Sequence, residues 1–295
     1  MQGGSLKSYL NLHLIVFIWG FTGVLGGLIS VRGASLVWYR MLLASLFMLI
    51  WLMANKVPLK LPWREALKLL FTGVLIGIHW ILFFTAIDIS NVSVTLAMFS
   101  MGAFFAAIFE PIFYGRKMLW YEVFFGLLII GSLCLILKVE FKYLAGMVCA
   151  LASVFFGVMF TLVNGKLTQK YRPDVITLYE FIAGFVFVSL WLTFNNSFTV
   201  DFFNVPLNDW WLILLLASVC TAYAFTASVN IMRKLTPYTV MLTTNLEPVY
   251  GILLAYFIIG EAEHMSPAFY FGAAIIILVV ITNGVVKHKF KKEVS

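Results

Sequence analysis

Five titratable side chains lie inside long apolar stretches of the sequence, where a charge is costly: Arg40, His79, Glu110, Glu180 and Glu247. An ionised side chain at the centre of a bilayer costs about 2.5 to 3.5 kcal/mol on insertion scales, so each of these residues needs a reason. An arginine can hold a neighbouring acid ionised or bind the carboxylate of a solute, and a buried acid can carry a proton or bind an amine. The chemistry that these residues could carry out is therefore the binding of charged solutes and the transfer of protons.

The predicted depth of these residues along helices that rise 1.5 Å per residue sorts them into two layers. Arg40, His79 and Glu247 lie towards the outer side, and Glu110 with Glu180 lies towards the inner side. If the first three converge, Arg40 can pair with Glu247 or with a substrate carboxylate, whereas two acids at one level tend to share a proton. The alternatives are a structural ion pair between helices for Arg40 and a hydrogen-bonded packing role for His79.

A proline directly after Glu247 predicts a disturbed helix at that point. Pro248 removes one helical hydrogen bond and frees the carbonyl a turn earlier, which is that of Thr244. Thr244 and Asn245 then add a hydroxyl and an amide beside Glu247 near the middle of the bilayer, where transporters with inverted repeats bind their cargo. The alternative is a simple proline kink.

Helices that cross a membrane must position these side chains, because the composition suits no other solvent. The 295 residues are 62% hydrophobic and 11% charged, whereas a soluble domain usually has about 25% charged residues. A helix needs about 20 apolar residues to span the hydrocarbon core. Ten stretches meet this need, and we predict an all-α integral membrane protein with ten transmembrane helices. They are residues 9–29, 34–54, 66–87, 91–114, 119–137, 143–165, 174–194, 210–231, 237–259 and 266–286.

The basic residues between these segments predict the orientation, because Lys and Arg collect on the cytoplasmic side. Sixteen of the 20 fall on one side, including Lys287, Lys289, Lys291 and Lys292 of the C-terminal tail. The other side has only Arg32, Lys138 and Lys142. Both termini are therefore predicted to be cytoplasmic, and the short loops of a minimal chain favour the cell inner membrane. The net charge of +7 needs no nucleic-acid partner to explain it.

The ten segments divide into five and five, which suggests a duplication. We predict one five-helix repeat over residues 1–142 and a second over 143–295, inverted relative to the first because each contains an odd number of spans. The fourth and ninth segments agree in length, in their short turns and in a terminal glycine, Gly115 and Gly260, which are 145 residues apart. Inverted repeats are typical of secondary transporters.

The chain resembles the EamA family of the drug/metabolite transporter superfamily over nearly its whole length. The resemblance rests on Trp19-Gly20, on Tyr39-Arg40 and above all on NLEPVYGILLAYFIIGE at 245–261. It implies ten helices in two inverted repeats that move small organic metabolites, amino acids or drugs, often outward. In the family's first repeat a proline usually lies within the fourth helix, where this chain has Ala103, and here Pro111 follows Glu110 instead.

The function predicted from the residues and the resemblance is a secondary active transporter that works by alternating access. The resemblance implies an exporter of small organic metabolites, such as amino acids or drug-like solutes.

 Its substrate or proton-binding candidates are Arg40, His79, Glu110, Glu180 and Glu247, with Thr244, Asn245, Tyr39 and Trp19 around them. Nucleotide-binding, nucleophile-elbow and metal-ligand motifs do not occur in the sequence, so we expect no cofactor, no metal and no enzymatic activity. The alternatives are an intramembrane enzyme acting on a lipid-linked substrate, a membrane receptor or assembly factor, and an uncoupled facilitator or channel.

Overall fold

A computed structural model describes residues 6–293 of the protein, apart from the side chains at positions 137, 139, 262, 280, 283, 284 and 287–293. The described residues fold into helices and contain no strand. Their α-helices are α1 (Leu6–Leu28), α2 (Gly33–Ala54), α3 (Trp63–Ile89), α4 (Val92–Phe99), α5 (Gly102–Tyr114), α6 (Trp120–Val139), α7 (Leu144–Leu167), α8 (Pro173–Phe194), α9 (Val200–Phe203), α10 (Leu207–Leu215), α11 (Ala224–Ile231), α12 (Pro237–Thr244), α13 (Glu247–Ile258) and α14 (Pro267–Glu293).

Long apolar runs explain why these helices form, because a backbone in lipid must satisfy its hydrogen bonds internally. Eight helical segments of the described chain are long and apolar enough to cross a membrane, if consecutive helices such as α4 with α5 are taken together. Shorter apolar helical stretches, Trp120–Ile136 and Pro267–Val279, lie where the predicted fifth and tenth spans fall. Residues 1–5 and the side chains of the four tail lysines, on which the predicted orientation partly depends, lie outside the described residues.

Two of the spanning segments are broken near their middle, and the breaks correspond. The helix over 92–114 is interrupted at Ser100 and Met101, and the helix over 237–258 is interrupted at Asn245 and Leu246, 145 residues later. A break at Asn245, rather than the simple kink that was the alternative, is the form that the predicted disturbance takes. Pro248 lies in the first turn of α13, where its missing N–H would have had no helical partner.

The two broken segments also end in the same way. Gly115 follows α5 with φ of +67°, and Gly260 lies just beyond α13 with φ of +82°. Residues with a Cβ rarely adopt this left-handed backbone region, so glycine is needed where the chain turns out of each helix. Both broken segments are therefore followed by a glycine with a positive φ.

The two broken segments pack against each other, α4 against α13 and α5 against α12. A carboxylate in one segment and a carboxylate just after the other each bind the start of the opposite segment. Oε1 of Glu110 in α5 accepts a hydrogen bond of 3.2 Å from the backbone N–H of Tyr238 in α12. Glu263, just after α13, accepts bonds of 2.9 Å from the backbone N–H groups of Val92 and Ser93 in α4. Helix N-termini carry unpaired N–H groups and a partial positive charge, so both contacts are favourable.

Helices from both halves of the chain surround the centre of the molecule. The long helix α3 packs on α7 and α8, α2 packs on α8, and α1 packs on α13. Gly20 allows the close approach of α1 to α13, because a Cβ there would lie 3.0 Å from the backbone nitrogen of Gly251 and 3.1 Å from the carbonyl of Glu247. This packing brings the residue after Trp19 against the start of α13 and leaves a cavity beside it.

Candidate functional site

A cavity of about 90 Å³ lies at the centre of the helix bundle. One water molecule needs roughly 10 to 15 Å³ by the same kind of measure, so the cavity has room for more than a single water. Its wall combines aromatic rings with a few polar side chains, which is the usual composition of a small-molecule site. The lining residues are Trp19, Thr22, Arg40, His79, Trp80, Phe83, Phe99, Val154, Gly157, Phe160, Thr161, Asn164, Phe225, Ser228, Val229, Met232, Val240, Met241, Thr244 and Glu247.

Arg40 reaches this cavity from α2 and is only 2% exposed. Its Nε donates a 2.6 Å hydrogen bond to the hydroxyl of Thr221, and its guanidinium carbon lies 3.8 Å from the centre of the Trp80 ring. A cation over the face of an indole is stabilised by the negative charge of the ring face. Nη1 has no hydrogen-bond partner within the described chain, and no described carboxylate forms an ion pair with Arg40. The guanidinium is therefore held in place with donors left over.

A π-helix over Leu216–Tyr223, which joins α10 to α11, supplies the partner of Arg40. The hydroxyl of Thr221 donates a 2.6 Å bond to the carbonyl of Leu216, five residues earlier, and this orients its oxygen to accept from Arg40. Wide turns of this kind are rare and occur often at functional sites. The distortion thus positions a hydroxyl for the buried arginine.

Glu247 faces the same cavity from the first turn of α13 and is 5% exposed. Within the described part of the chain its carboxylate has neither a hydrogen bond nor an ion pair. The N-terminus of α13 favours a negative charge at this point. Arg40 and Glu247 therefore present a guanidinium and a carboxyl group to one cavity without bonding to each other, so both remain available to a third partner.

His79 also lines the cavity, and its ring is fixed by one neighbour on α7. Nδ1 lies 2.7 Å from the carbonyl oxygen of Ser153, which can only accept, so Nδ1 carries the proton. The Ser153 hydroxyl in turn donates a 2.7 Å bond to the carbonyl of His79. Nε2 has no hydrogen-bond partner among the described residues and is the nitrogen left for a ligand. The outer layer predicted from the sequence, Arg40 with His79 and Glu247, thus shares one cavity.

The predicted inner layer does not come together. Glu180 is completely buried and accepts a 3.2 Å bond from the side-chain amide of Asn164, which itself lines the cavity. Its other oxygen, Oε1, has no hydrogen-bond partner in the described structure, and neither does Oδ1 of Asn164. Glu180 thus adjoins the cavity through Asn164 and has no contact with Glu110.

Glu110 takes part in an ion-pair cluster at the end of α5 instead. Its Oε2 lies 2.9 Å from Nη2 of Arg116, and the same nitrogen lies 2.8 Å from Glu122. Partial burial alone would lower the pKa of Arg116, but its bonds and charge interactions with Glu122 and Glu110 raise that pKa above its ordinary value. Since Glu110 also binds the start of α12, its contacts are those of a residue that holds helices together.

The remaining predicted site residues divide between cavity wall and scaffold. Trp19 and Thr244 line the cavity. Asn245 lies in the break between α12 and α13, 2% exposed, and its side-chain oxygen and nitrogen have no hydrogen-bond partner within the described residues. Tyr39 points away from the cavity, because its hydroxyl donates a 2.8 Å bond to the carbonyl of Phe202 and its ring stacks on that residue.

Sequence reasoning missed two residues that complete the site, Asn164 and Thr221. Asn164 could have been found, because it is an amide near the end of an otherwise apolar helix. Thr221 carries no such signal, because threonine is common in membrane helices. The π-helix that orients its side chain cannot be recognised from the pattern of apolar residues. Spacing along a regular helix would have placed its hydroxyl elsewhere.

Comparisons with known proteins agree with this architecture. The chain is similar to an uncharacterized transporter of Archaeoglobus fulgidus, with 22% identity over 267 residues that cover 86% of this chain and 90% of that protein. One solved crystal structure superposes with a TM-score of 0.71 over 95% of this chain and 98% of the other, at 16% identity. A likeness at that identity shows a shared fold and no more.

The model of the EamA-like transporter family matches the chain twice, over residues 6–138 and 144–284. These two matches cover more than half of the sequence, and they confirm the family expected from the motifs around Trp19, Arg40 and Glu247. The family match and the long apolar helices together identify this protein as a multi-pass membrane protein that belongs to the EamA-like transporter family.

Proposed function

We propose that this protein is a secondary active transporter that exports small zwitterionic metabolites, such as amino acids, across the cell inner membrane. One observation carries the proposal: the guanidinium of Arg40 and the carboxyl group of Glu247 face a single central cavity and do not pair with each other. Arg40 suits the carboxylate of such a solute and Glu247 its amine, while Trp19 and Trp80 offer apolar surface to its side chain.

The transport mechanism we propose is alternating access by ten transmembrane helices in two inverted repeats, residues 1–142 and 143–295, with both termini cytoplasmic. The double match of the family model and the 145-residue correspondence between the breaks at Ser100 and Asn245 support the duplication. The reciprocal contacts of Glu110 and Glu263 with opposite helix starts support the inversion. In such transporters broken helices place their ends at the cargo site.

Glu247 is also the proposed site of proton coupling. A carboxylate that faces a small cavity without a cation bound to it is costly to leave ionised and unpaired, so proton and amine are alternative partners. If Glu247 releases the amine of the solute on one side of the membrane and takes up a proton there, the flux of the solute is coupled to a flux of protons. Flux measured with and without an imposed proton gradient distinguishes this coupling from simple facilitation.

The direct test reconstitutes the purified protein into liposomes and follows a mixture of isotope-labelled amino acids by mass spectrometry. We expect Glu247→Gln and Arg40→Ala to abolish flux without lowering expression. Glu261→Gln and Arg32→Ala, which remove the same charges outside the cavity, should keep it. Flux at the wild-type level in both cavity variants would contradict the assignment of the cargo site to Arg40 and Glu247. If the wild-type protein transports no amino acid at all, the proposed cargo is wrong.

An enzyme acting on a lipid-linked substrate would need two acids close together at one depth. Glu110 is engaged by Arg116 and the start of α12, whereas Glu180 is bonded to Asn164. No observation on the described residues therefore favours this second function.

A further inference from the structure

A second, larger cavity lies on the flank of the helix bundle, away from the central one. It has a volume of about 800 Å³ and lies between the second half of α2 and the segment from the π-helix to α11. None of the residues that line it also lines the central cavity. We call this cavity, lined among others by Phe47, Trp51, Tyr223 and Arg233, the flank groove.

The long wall of the flank groove is apolar and opens at the surface of the bundle. Phe47, Met48 and Ala222 form its floor, and Trp51 and Tyr223 stand at its edge. Trp51 is 49% exposed and Tyr223 is 53% exposed, on helices that lie in the membrane. In a bilayer this opening faces lipid rather than water, so acyl chains reach it directly.

One end of the flank groove is cationic. Arg233 lines it, and the guanidinium is fixed by bonds of 2.9 Å from Nε to the carbonyl of Thr168 and 2.8 Å from Nη2 to the carbonyl of Tyr171. Carbonyl oxygens orient the guanidinium without neutralising its charge. No carboxylate in the described part of the chain forms an ion pair with Arg233.

A second arginine at the same end is already neutralised. Arg172 pairs with Asp174 at 2.7 Å, and both residues line the flank groove. The three charged side chains of the groove therefore leave a net charge of about +1, carried by Arg233. Thr226 and Asn230 add a hydroxyl and an amide beside it. Both arginines belong to the side on which most Lys and Arg residues collect, which is the predicted cytoplasmic side.

We propose that the flank groove binds an anionic phospholipid, with its phosphate at Arg233 and an acyl chain along Phe47, Met48 and Trp51. The apolar wall, the lateral opening and the oriented, uncompensated cation at one end together match a negatively charged headgroup joined to a hydrocarbon tail. Basic pockets between membrane helices bind such lipids, and each basic residue near the membrane surface is worth about 1 kcal/mol. A phospholipid without net charge would gain the apolar contacts only.

Native mass spectrometry of the full-length protein from mixed micelles tests this proposal, with phosphatidylglycerol and phosphatidylcholine of identical acyl chains as probes. We expect phosphatidylglycerol to be retained preferentially. Arg233→Gln should lower that preference by about fivefold, the factor that corresponds to about 1 kcal/mol. Lys60→Gln is the matched control, because it removes one exposed cation from the same side of the protein outside the groove.

Further variants keep the test decisive if Arg233→Gln disturbs the loops that Arg233 holds. Ala227→Phe fills the groove without touching either arginine, and it should reduce retention of phosphatidylglycerol, whereas Arg233→Lys should keep part of the preference. Soluble glycerol 3-phosphate, which is a headgroup without tails, should not compete. Equal retention of the two lipids by the wild-type protein, or an equal effect of Arg233→Gln and Lys60→Gln, would overturn the proposal.

Discussion

Arg40 illustrates how a single buried cation is made tolerable without an ion pair. It is oriented by one hydroxyl, covered by one indole and left with an unbonded Nη1. Pairing with Glu247 would satisfy both charges and leave neither for a solute. The cation–π contact with Trp80 stabilises the charge while it occupies few of the five N–H donors. The guanidinium therefore keeps N–H donors unoccupied, as the proposed cargo site requires.

Loss of the Thr221 hydroxyl should weaken this arrangement. In Thr221→Val the Nε donor of a buried cation loses its acceptor, which costs about 1 to 3 kcal/mol. We expect a lower midpoint of thermal unfolding in detergent and a weaker response of that midpoint to amino acids that stabilise the wild-type protein. Thr193→Val, which removes an exposed hydroxyl bonded only to the carbonyl of Ser189, is the matched control. Identical behaviour of the two variants would contradict the role given to Thr221.

The sequence identifies charged cavity residues well and their partners poorly. Arg40, His79 and Glu247 are conspicuous because each interrupts an apolar run, and all three line the cavity. The same signal marks Glu110, yet its partner Arg116 comes from beyond the helix end. That contact depends on the left-handed turn at Gly115, which folds the chain back, and depth along a straight helix cannot show it.

At the scale of elements, the two broken helices are held by each other's carboxylates. Glu263 binds two N–H groups at the start of α4, and Glu110 binds one at the start of α12. Each contact lies at the opposite end of the pair from the other, since α4 packs against α13 and α5 against α12. The carboxylates therefore connect two elements that meet near the cavity.

Removal of one of these contacts should destabilise the protein measurably. Glu263→Ala leaves two N–H groups at a buried helix start without an acceptor and removes a charge that favours the helix dipole, at a cost of about 1 to 2 kcal/mol. We expect a lower midpoint of thermal unfolding than for Glu261→Ala, two residues away and exposed. Equal midpoints for the two variants would contradict the capping role.

The helical segments themselves are predictable, but their interruptions are not. Each predicted apolar segment falls on helical residues of the structure. The break at Asn245 had a signal in Pro248, whereas the break at Ser100 has none, because Ala103 stands where a proline would have marked it. Packing of α4 and α5 against the ninth segment fixes that break, and tertiary packing leaves no local pattern in the sequence.

At the scale of the whole molecule, one cavity lies between the two halves of the chain, and in the proposed function it is the cargo site. Residues of α1 to α4 in the first half and of α7, α11, α12 and α13 in the second contribute to its wall, so neither half encloses it alone. The cavity must open to one side of the membrane and then to the other if the two halves are inverted copies. Thr244 lines the cavity from the second half of the chain, so the accessibility of a side chain at this position shows to which side the cavity is open.

The most direct test is the accessibility of Thr244→Cys, made in a protein without its native cysteines Cys134, Cys149 and Cys220, to a membrane-impermeant thiol reagent. Right-side-out and inverted membrane vesicles present the reagent to opposite faces, and Thr193→Cys reports sidedness, since it lies at the end of α8 predicted to face outward. Alternating access predicts that Thr244→Cys reacts from both faces while Thr193→Cys reacts from one. Reaction of Thr244→Cys from a single face only, or from neither, would contradict the account.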